Sequence, residues 1–216
     1  MLRLQIGPDR QRLRVLCLGA HSDDIELGCA GTLLHWLSQY EHVEVTWVVF
    51  SAAGARATEA RHSARTLMRR AAQLDIVVGD LIDTQFPAEF IRAQAFMRSI
   101  AQRCSPDVVL THRLEDRHQD HRLVAELTGQ AFRDHLLLEY EIPKYEADLG
   151  QPNLYVPLTA PVAERKLRHL LSHFGSQRSK DWFNERGLSS LMNLRGLECR
   201  AASGRAEAFH VRKVAL

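Results

Sequence analysis

Leu13-Arg14-Val15-Leu16-Cys17-Leu18-Gly19 runs directly into Ala20-His21-Ser22-Asp23-Asp24. An almost unbroken apolar run of this length reads as a strand covered on both faces, as in the middle of a parallel sheet. A cluster of histidine and aspartate ends it. The same order recurs further on, where Pro106-Asp107-Val108-Val109-Leu110-Thr111-His112 is followed by His118-Gln119-Asp120-His121. Two apolar strands, each closed by acid and imidazole, set both the fold and the chemistry.

Outward from these runs the chain alternates. Val43 to Phe50, Ile76 to Val78 and Leu136 to Glu141 read as further strands, with Asp107 to Thr111 as the fourth of five. Between them, residues 28–39, 58–74, 89–103 and 120–133 carry helical patterns. Strand–helix alternation implies right-handed crossovers and a mostly parallel sheet. The expectation is an α/β, Rossmann-like three-layer sandwich with strand order 3-2-1-4-5. C-terminal additions follow: a short strand at 154–156, helices at 161–173 and 180–194, and a closing strand at 206–216. No repeat or linker divides the chain, so residues 1–216 are expected to form one domain. In this order the first and fourth strands are neighbours, and ligands bind beyond the strand ends where the order reverses.

Composition excludes several classes. The 216 residues are 45% hydrophobic and 25% charged, with a net charge of +2. The arginines are scattered, which argues against nucleic acid as the main partner. No apolar stretch approaches the roughly 20 residues of a membrane span. Residues 1–10 lack a signal-peptide core, so a cytoplasmic location is expected. The four cysteines, Cys17, Cys29, Cys104 and Cys199, show no CxxC pairing and read as free thiols. Trp36, Trp47 and Trp182 could stack on a ligand, but core packing is their default role.

Borderline-soft divalent metals take imidazole nitrogen and carboxylate oxygen, and a catalytic zinc site has three protein ligands and an open position. His21 and Asp24 can point into the crevice from one tight loop, with Asp23 between them as a carboxylate free to act as base. Alternatively, Ser22, Asp23 and Asp24 simply cap the next helix. In the second cluster His121 is the candidate third ligand. His118, as a cationic imidazole, could stabilise an oxyanion and protonate a leaving amine, and Asp120 could orient an imidazole. Here the alternative is a solvated loop with an aspartate cap. His112 and Asp116 read as hydrogen-bonding loop residues. Zn2+ suits this donor set first, and Fe2+ also suits it.

At these residues the chain resembles the PIG-L/LmbE-like family of metal-dependent N-deacetylases. That family carries Ala-His-Pro-Asp-Asp after its first strand and His-x-Asp-His after its fourth. Here Ser22 replaces the proline. Gly28-Cys29-Ala30-Gly31-Thr32, then Lys166, His173, Ser176-Gln177 and Ala206-Glu207-Ala208-Phe209 extend the likeness along most of the chain. The resemblance implies hydrolysis of an N-acyl group, usually an acetamide on a sugar, by metal-activated water. It implies His21, Asp24 and His121 as metal ligands, Asp23 as base, and His118 and Asp120 as catalytic partners. The implied partner is a small N-acetylated sugar or sugar conjugate; amidase or esterase action on a non-sugar acyl compound is the rival, as is an inactive metal-binding module. Oligomeric state is left open. Family members also place Arg-x-x-Glu early in the helix after the second strand, with the arginine on substrate. Arg56, Arg61 and Arg65 crowd that region, and Arg61 is taken as the substrate contact.

Overall fold

A computed structural model describes residues 5–7 and 9–214. Residues 1–4 and 8, part of the stretch read as lacking a signal-peptide core, and residues 215–216, the end of the expected closing strand, lie outside the described residues.

The chain alternates as β1 (Arg12–Gly19), α1 (Asp24–Gln39), β2 (His42–Val49), α2 (Gly54–Leu67), β3 (Gln73–Val78), α3 (Phe90–Arg103), β4 (Val108–His112), α4 (Gln119–Ala131) and β5 (Leu136–Tyr140). Then come β6 (Leu154–Pro157), α5 (Ala160–His173), α6 (Glu185–Glu198) and β7 (Ala206–His210). They build a seven-stranded sheet of order β3-β2-β1-β4-β5-β7-β6. The first five strands are parallel, as the alternation requires, and β7 runs antiparallel to both its neighbours.

Strand periodicity divides the core. Leu13, Val15 and Cys17 face the layer of α1, α2, α5 and α6, whereas Leu16 and Leu18 face α3 and α4. Burial on both faces explains why β1 reads as a continuous apolar run. All four cysteines are free. Among the described residues no helix is long and apolar enough to cross a membrane.

Several boundaries differ from the sequence expectation. Strand β3 begins at Gln73 rather than Ile76, and the closing strand ends at His210, where pairing with β5 and β6 stops, with residues 211–214 outside it. Helix α1 starts at Asp24, not Gly28, because it is buried nearly all round and shows no amphipathic stripe to mark its first turn. Helix α2 spans 54–67 rather than 58–74. The N–H of Ala72 donates to the Val43 carbonyl, so the sheet claims the residues that helix propensity alone would have kept. Helix α6 begins later, at Glu185, where the Asn184 side chain accepts from the Gly187 N–H at 3.0 Å.

The C-terminal additions grip α1 directly. Lys166 and Glu207 form a buried ion pair at 2.6 Å. Lys166 also donates to the Leu27 carbonyl, and Glu207 accepts from the N–H groups of Gly31 and Thr32. A side chain at Gly31 would meet Leu158 and Glu207, so glycine is required for this close approach. The clamp holds fixed the helix that carries Asp24.

Candidate metal and catalytic site

Strand β1 pairs with both β2 and β4, so the sheet order reverses beside it. The loops leaving β1 (residues 20–23), β3 (79–86) and β4 (113–118) meet at that point, in the crevice expected of the fold.

His21 and His121 come from opposite sides of it. His121 Nδ1 lies 3.1 Å from Asp116 Oδ2, and His21 Nε2 lies 3.1 Å from Asp120 Oδ2 and 3.0 Å from Asp83 Oδ1. An imidazole nitrogen beside a carboxylate carries the proton. The opposite nitrogens, His21 Nδ1 and His121 Nε2, are thereby aimed at each other, 3.2 Å apart. Two bare lone pairs at that distance repel unless a proton or a cation lies between them. Asp24 adds carboxylate oxygens 3.5 Å from His21 Nδ1 and 3.6 Å from His121 Nε2. The three residues offer ligand atoms all within 4.8 Å of one another. Burial opposes a charge on His21, yet hydrogen bonds donated to Asp120 and Asp24 raise its pKa well above the usual range. The pocket demands positive charge, and its donor set of two imidazoles and a carboxylate fits a divalent metal.

The helix-capping alternative does not describe Asp23 and Asp24. Asp23 occupies the N-cap position of α1 but makes no side-chain cap bond. Asp24 Oδ2 instead accepts the His21 N–H at 2.7 Å. Burial pushes Asp24 up, but His121, His112 and His21 together hold it well below the ordinary carboxylate range. Asp23 is buried, and its carboxylate accepts no hydrogen bond among the described residues. Burial and then Asp24 push its pKa up, against Lys180, Arg56 and His21. Two adjacent carboxylates thus divide: one is fixed as an anion, the other is poised to take a proton.

His118 caps α4, its Nδ1 accepting from the Asp120 N–H at 3.3 Å. Its proton therefore sits on Nε2. Burial, then His121 and His21, lower its pKa. These contacts favour the neutral ring with its hydrogen on Nε2 over the cationic imidazole anticipated from its position. Asp120 is fully buried and is no helix cap. Besides His21, it accepts from the N–H groups of Thr84 at 2.7 Å and Phe86 at 3.1 Å. Thr84 has φ 66°, a left-handed backbone that a β-branched residue adopts only under constraint. Asp120 thus ties the β3 loop to His21.

Arg56, rather than Arg61, reaches this cluster. Its Nη1 lies 2.6 Å from Asp83 Oδ2 and its Nε 3.3 Å from Ser22 Oγ. Arg61, further along α2, makes no hydrogen bond or ion pair among the described residues. The sequence carries the signal for this residue, because Arg56-Ala57-Thr58-Glu59 has the Arg-x-x-Glu spacing. Asp83 and Lys144 also belong to the site, and no motif marks them. Lys144 neutralises Asp116 at 3.0 Å, leaving Asp116 free to orient His121. His112 accepts the Ala20 N–H at 2.9 Å and lies 3.2 Å from Asp24 Oδ2; burial lowers its pKa to about 4. Trp36 and Trp47 are buried in the core, while Trp182 is partly buried beneath Lys180.

Comparison with known proteins agrees with this geometry. The family model PIG-L, described as GlcNAc-PI de-N-acetylase, matches residues 16–132, more than half of the chain. Among solved structures, the N,N'-diacetylchitobiose deacetylase of Pyrococcus horikoshii is 20% identical, with a TM-score of 0.69 over 92% of this chain and 83% of that one. The A40926 pseudoaglycone deacetylase Dbv21 is 18% identical, with a TM-score of 0.71 over 96% and 100%. GalB of Pseudomonas putida, a 4-carboxy-2-hydroxymuconate hydratase, is 17% identical, with a TM-score of 0.75 over 94% and 98%. These likenesses establish the fold, which hosts more than one reaction. The family match covers more than half of the chain and includes both clusters, β4 and the end of β1, and on that ground the chain belongs to the PIG-L family.

Proposed function

We propose that residues 1–216 form one catalytic domain, a zinc-dependent N-deacetylase that removes the acetyl group from an amino sugar or sugar conjugate. The carrying observation is the convergence of His21 Nδ1, His121 Nε2 and the Asp24 carboxylate on one point, with the unbonded Asp23 carboxylate beside them. His21, Asp24 and His121 hold the metal, Zn2+ by donor type with Fe2+ as the other candidate. When bound, that ion supplies Lewis acidity to the amide carbonyl and acidifies the attacking water.

The chain's own groups do the rest. Asp23 takes the proton as water adds to the carbonyl carbon. His118 Nε2–H donates to the oxygen that becomes negative, and needs no positive charge to do so. The C–N bond then breaks, and the proton held by Asp23 passes to the leaving amine. A raised Asp23 pKa suits both halves of this cycle. Asp116 and Asp120 fix the two imidazoles. Arg56 contacts the substrate, a role its place beside Ser22 and Asp83 supports better than Arg61's position supports the same role there.

The test is metal analysis and product release, read by mass spectrometry across N-acetylated sugars, nucleotide sugars and glycolipid headgroups. Asp23→Asn keeps the metal and loses about 10²- to 10⁴-fold in kcat; His121→Ala loses the metal. Full turnover in Asp23→Asn removes the base assignment. Turnover confined to simple amides or esters would move the assignment to a non-sugar substrate.

A further inference from the structure

A basic face of α5 lines an open groove away from the histidine–aspartate cluster. On α5, Arg165, Arg168, His169, Ser172 and His173 recur at helical spacing and so share a side. With Arg178 they line an open groove of about 640 Å³. His62 on α2, and Arg69 and Arg70 just after it, add positive charge beside that face. Contacts at both ends bring α2 against α5, where Arg165 Nη2 donates to the Leu67 carbonyl at 3.3 Å. The ring of His62 stacks on that of His173 at 5.2 Å. At the other end, burial and then the nearby Arg69 and Arg70 lower the pKa of Arg165.

Arg69, Arg70, Arg165, Arg168 and Arg178 form no ion pair among the described residues, and Arg165 and Arg178 each donate to a backbone carbonyl, those of Leu67 and Leu171. Elsewhere Arg14, Arg56, Arg103, Arg195 and Arg212 each reach a carboxylate. The acids at hand do not supply the missing charge. Glu59 is occupied by the N–H and hydroxyl of Ser176, and Glu164 forms no ion pair among the described residues. Guanidinium groups gathered around one groove raise the energy of the free protein. An anion between them removes that cost, and the planar fork of arginine matches phosphate oxygens two at a time. The groove is larger than one phosphate needs and falls within the roughly 300–1,000 Å³ of small-molecule sites.

We propose that this groove is a second ligand site, binding a soluble compound that carries at least two phosphate groups. The arginines that look scattered along the chain are brought together here by the packing of α5 on α2.

The experiment is calorimetric titration of the intact protein with inorganic diphosphate, at fixed ionic strength in chloride. Arg168 and Arg178 are exposed, so their replacement leaves the core untouched. Expected results are saturable binding at least tenfold tighter for diphosphate than for orthophosphate, and at least a tenfold loss in R168A/R178A. R168K/R178K, which keeps charge but not the planar fork, falls between. Equal affinity in wild type and R168A/R178A overturns the proposal, since diphosphate would then be reading the metal site. Equal affinity for mono- and diphosphate overturns it as a diffuse field effect. Tighter, groove-dependent binding to phosphatidylglycerol vesicles or to an oligonucleotide overturns the soluble ligand in favour of that surface.

Discussion

Glycine-to-alanine substitution at two helical positions is expected to change stability in opposite directions. In a helix interior alanine gains about 1 kcal/mol over glycine. At Gly129 in α4 a new Cβ meets nothing within 4 Å. Gly129→Ala should therefore stabilise by about 0.5–1 kcal/mol. At Gly28 in α1 the same Cβ would lie 2.5 Å from Tyr140 Cγ and 2.9 Å from Cε2. Tyr140 is only 1% exposed and has no free space to retreat into. Its hydroxyl donates to the Leu18 carbonyl at 2.6 Å. Overpacking costs about 1–3 kcal/mol, and displacing the ring puts a further ~1 kcal/mol at risk in that hydrogen bond. Against a gain of ~1 kcal/mol, Gly28→Ala is net destabilising by about 1–3 kcal/mol. Urea unfolding monitored by circular dichroism, with unchanged slopes, reads both values. In the double variant, Tyr140→Leu should relieve the clash and give a coupling above about 1 kcal/mol. If both alanine variants shift stability in the same direction, or the coupling is absent, the packing argument is wrong.

Three further outcomes are expected. Lys166→Met strands a buried Glu207 and should cost about 3–5 kcal/mol, seen as a fall of ten degrees or so in Tm; an unchanged Tm would contradict the clamp on α1. Asp120→Asn turns an acceptor of backbone N–H groups into a partial donor and should cost about 1–3 kcal/mol while lowering kcat; a variant with wild-type turnover would show that the Thr84 loop does not depend on it. The third concerns pH. His169 is held neutral, burial and then His173 lowering its pKa from 6.5 to about 3, and its Nε2 sits 2.7 Å from Ser63 Oγ. The folded value lies below the unfolded one, so unfolding takes up a proton. That stability is complete above pH 6.5 and is lost as pH falls from 6.5 toward 3. His169→Gln should flatten the decline in urea midpoint between pH 6.5 and 4.5; parallel curves for variant and wild type would exclude it.

Much of the architecture is visible in the chain alone. The runs at Leu13–Leu18 and Val108–Thr111 are local signals, because a strand buried on both faces must be apolar at every position. Their order in the parallel sheet follows from crossover handedness, and the two clusters inherit adjacency from it. His21, Asp24 and His121 stand out because few other roles need those residue types at strand ends. Helix limits were less legible where other elements decided them, as Val43 does for the end of α2 and burial does for the start of α1.

The orientation of each donor belongs to the tertiary structure. Which nitrogen of His21 or His121 is bare depends on Asp120 and Asp116, and Asp116 is in turn contacted by Lys144, 28 residues away. Asp83 and the basic groove on α5 carry no local mark beyond their residue types, and Arg56 is marked only by its Arg-x-x-Glu spacing. Electrostatic and hydrogen-bond energies depend on separation in space, and separation along the chain does not encode it. Sequence therefore names the atoms able to hold an ion and move a proton, while the packing of α1, α4 and the β3 loop decides which of them face it.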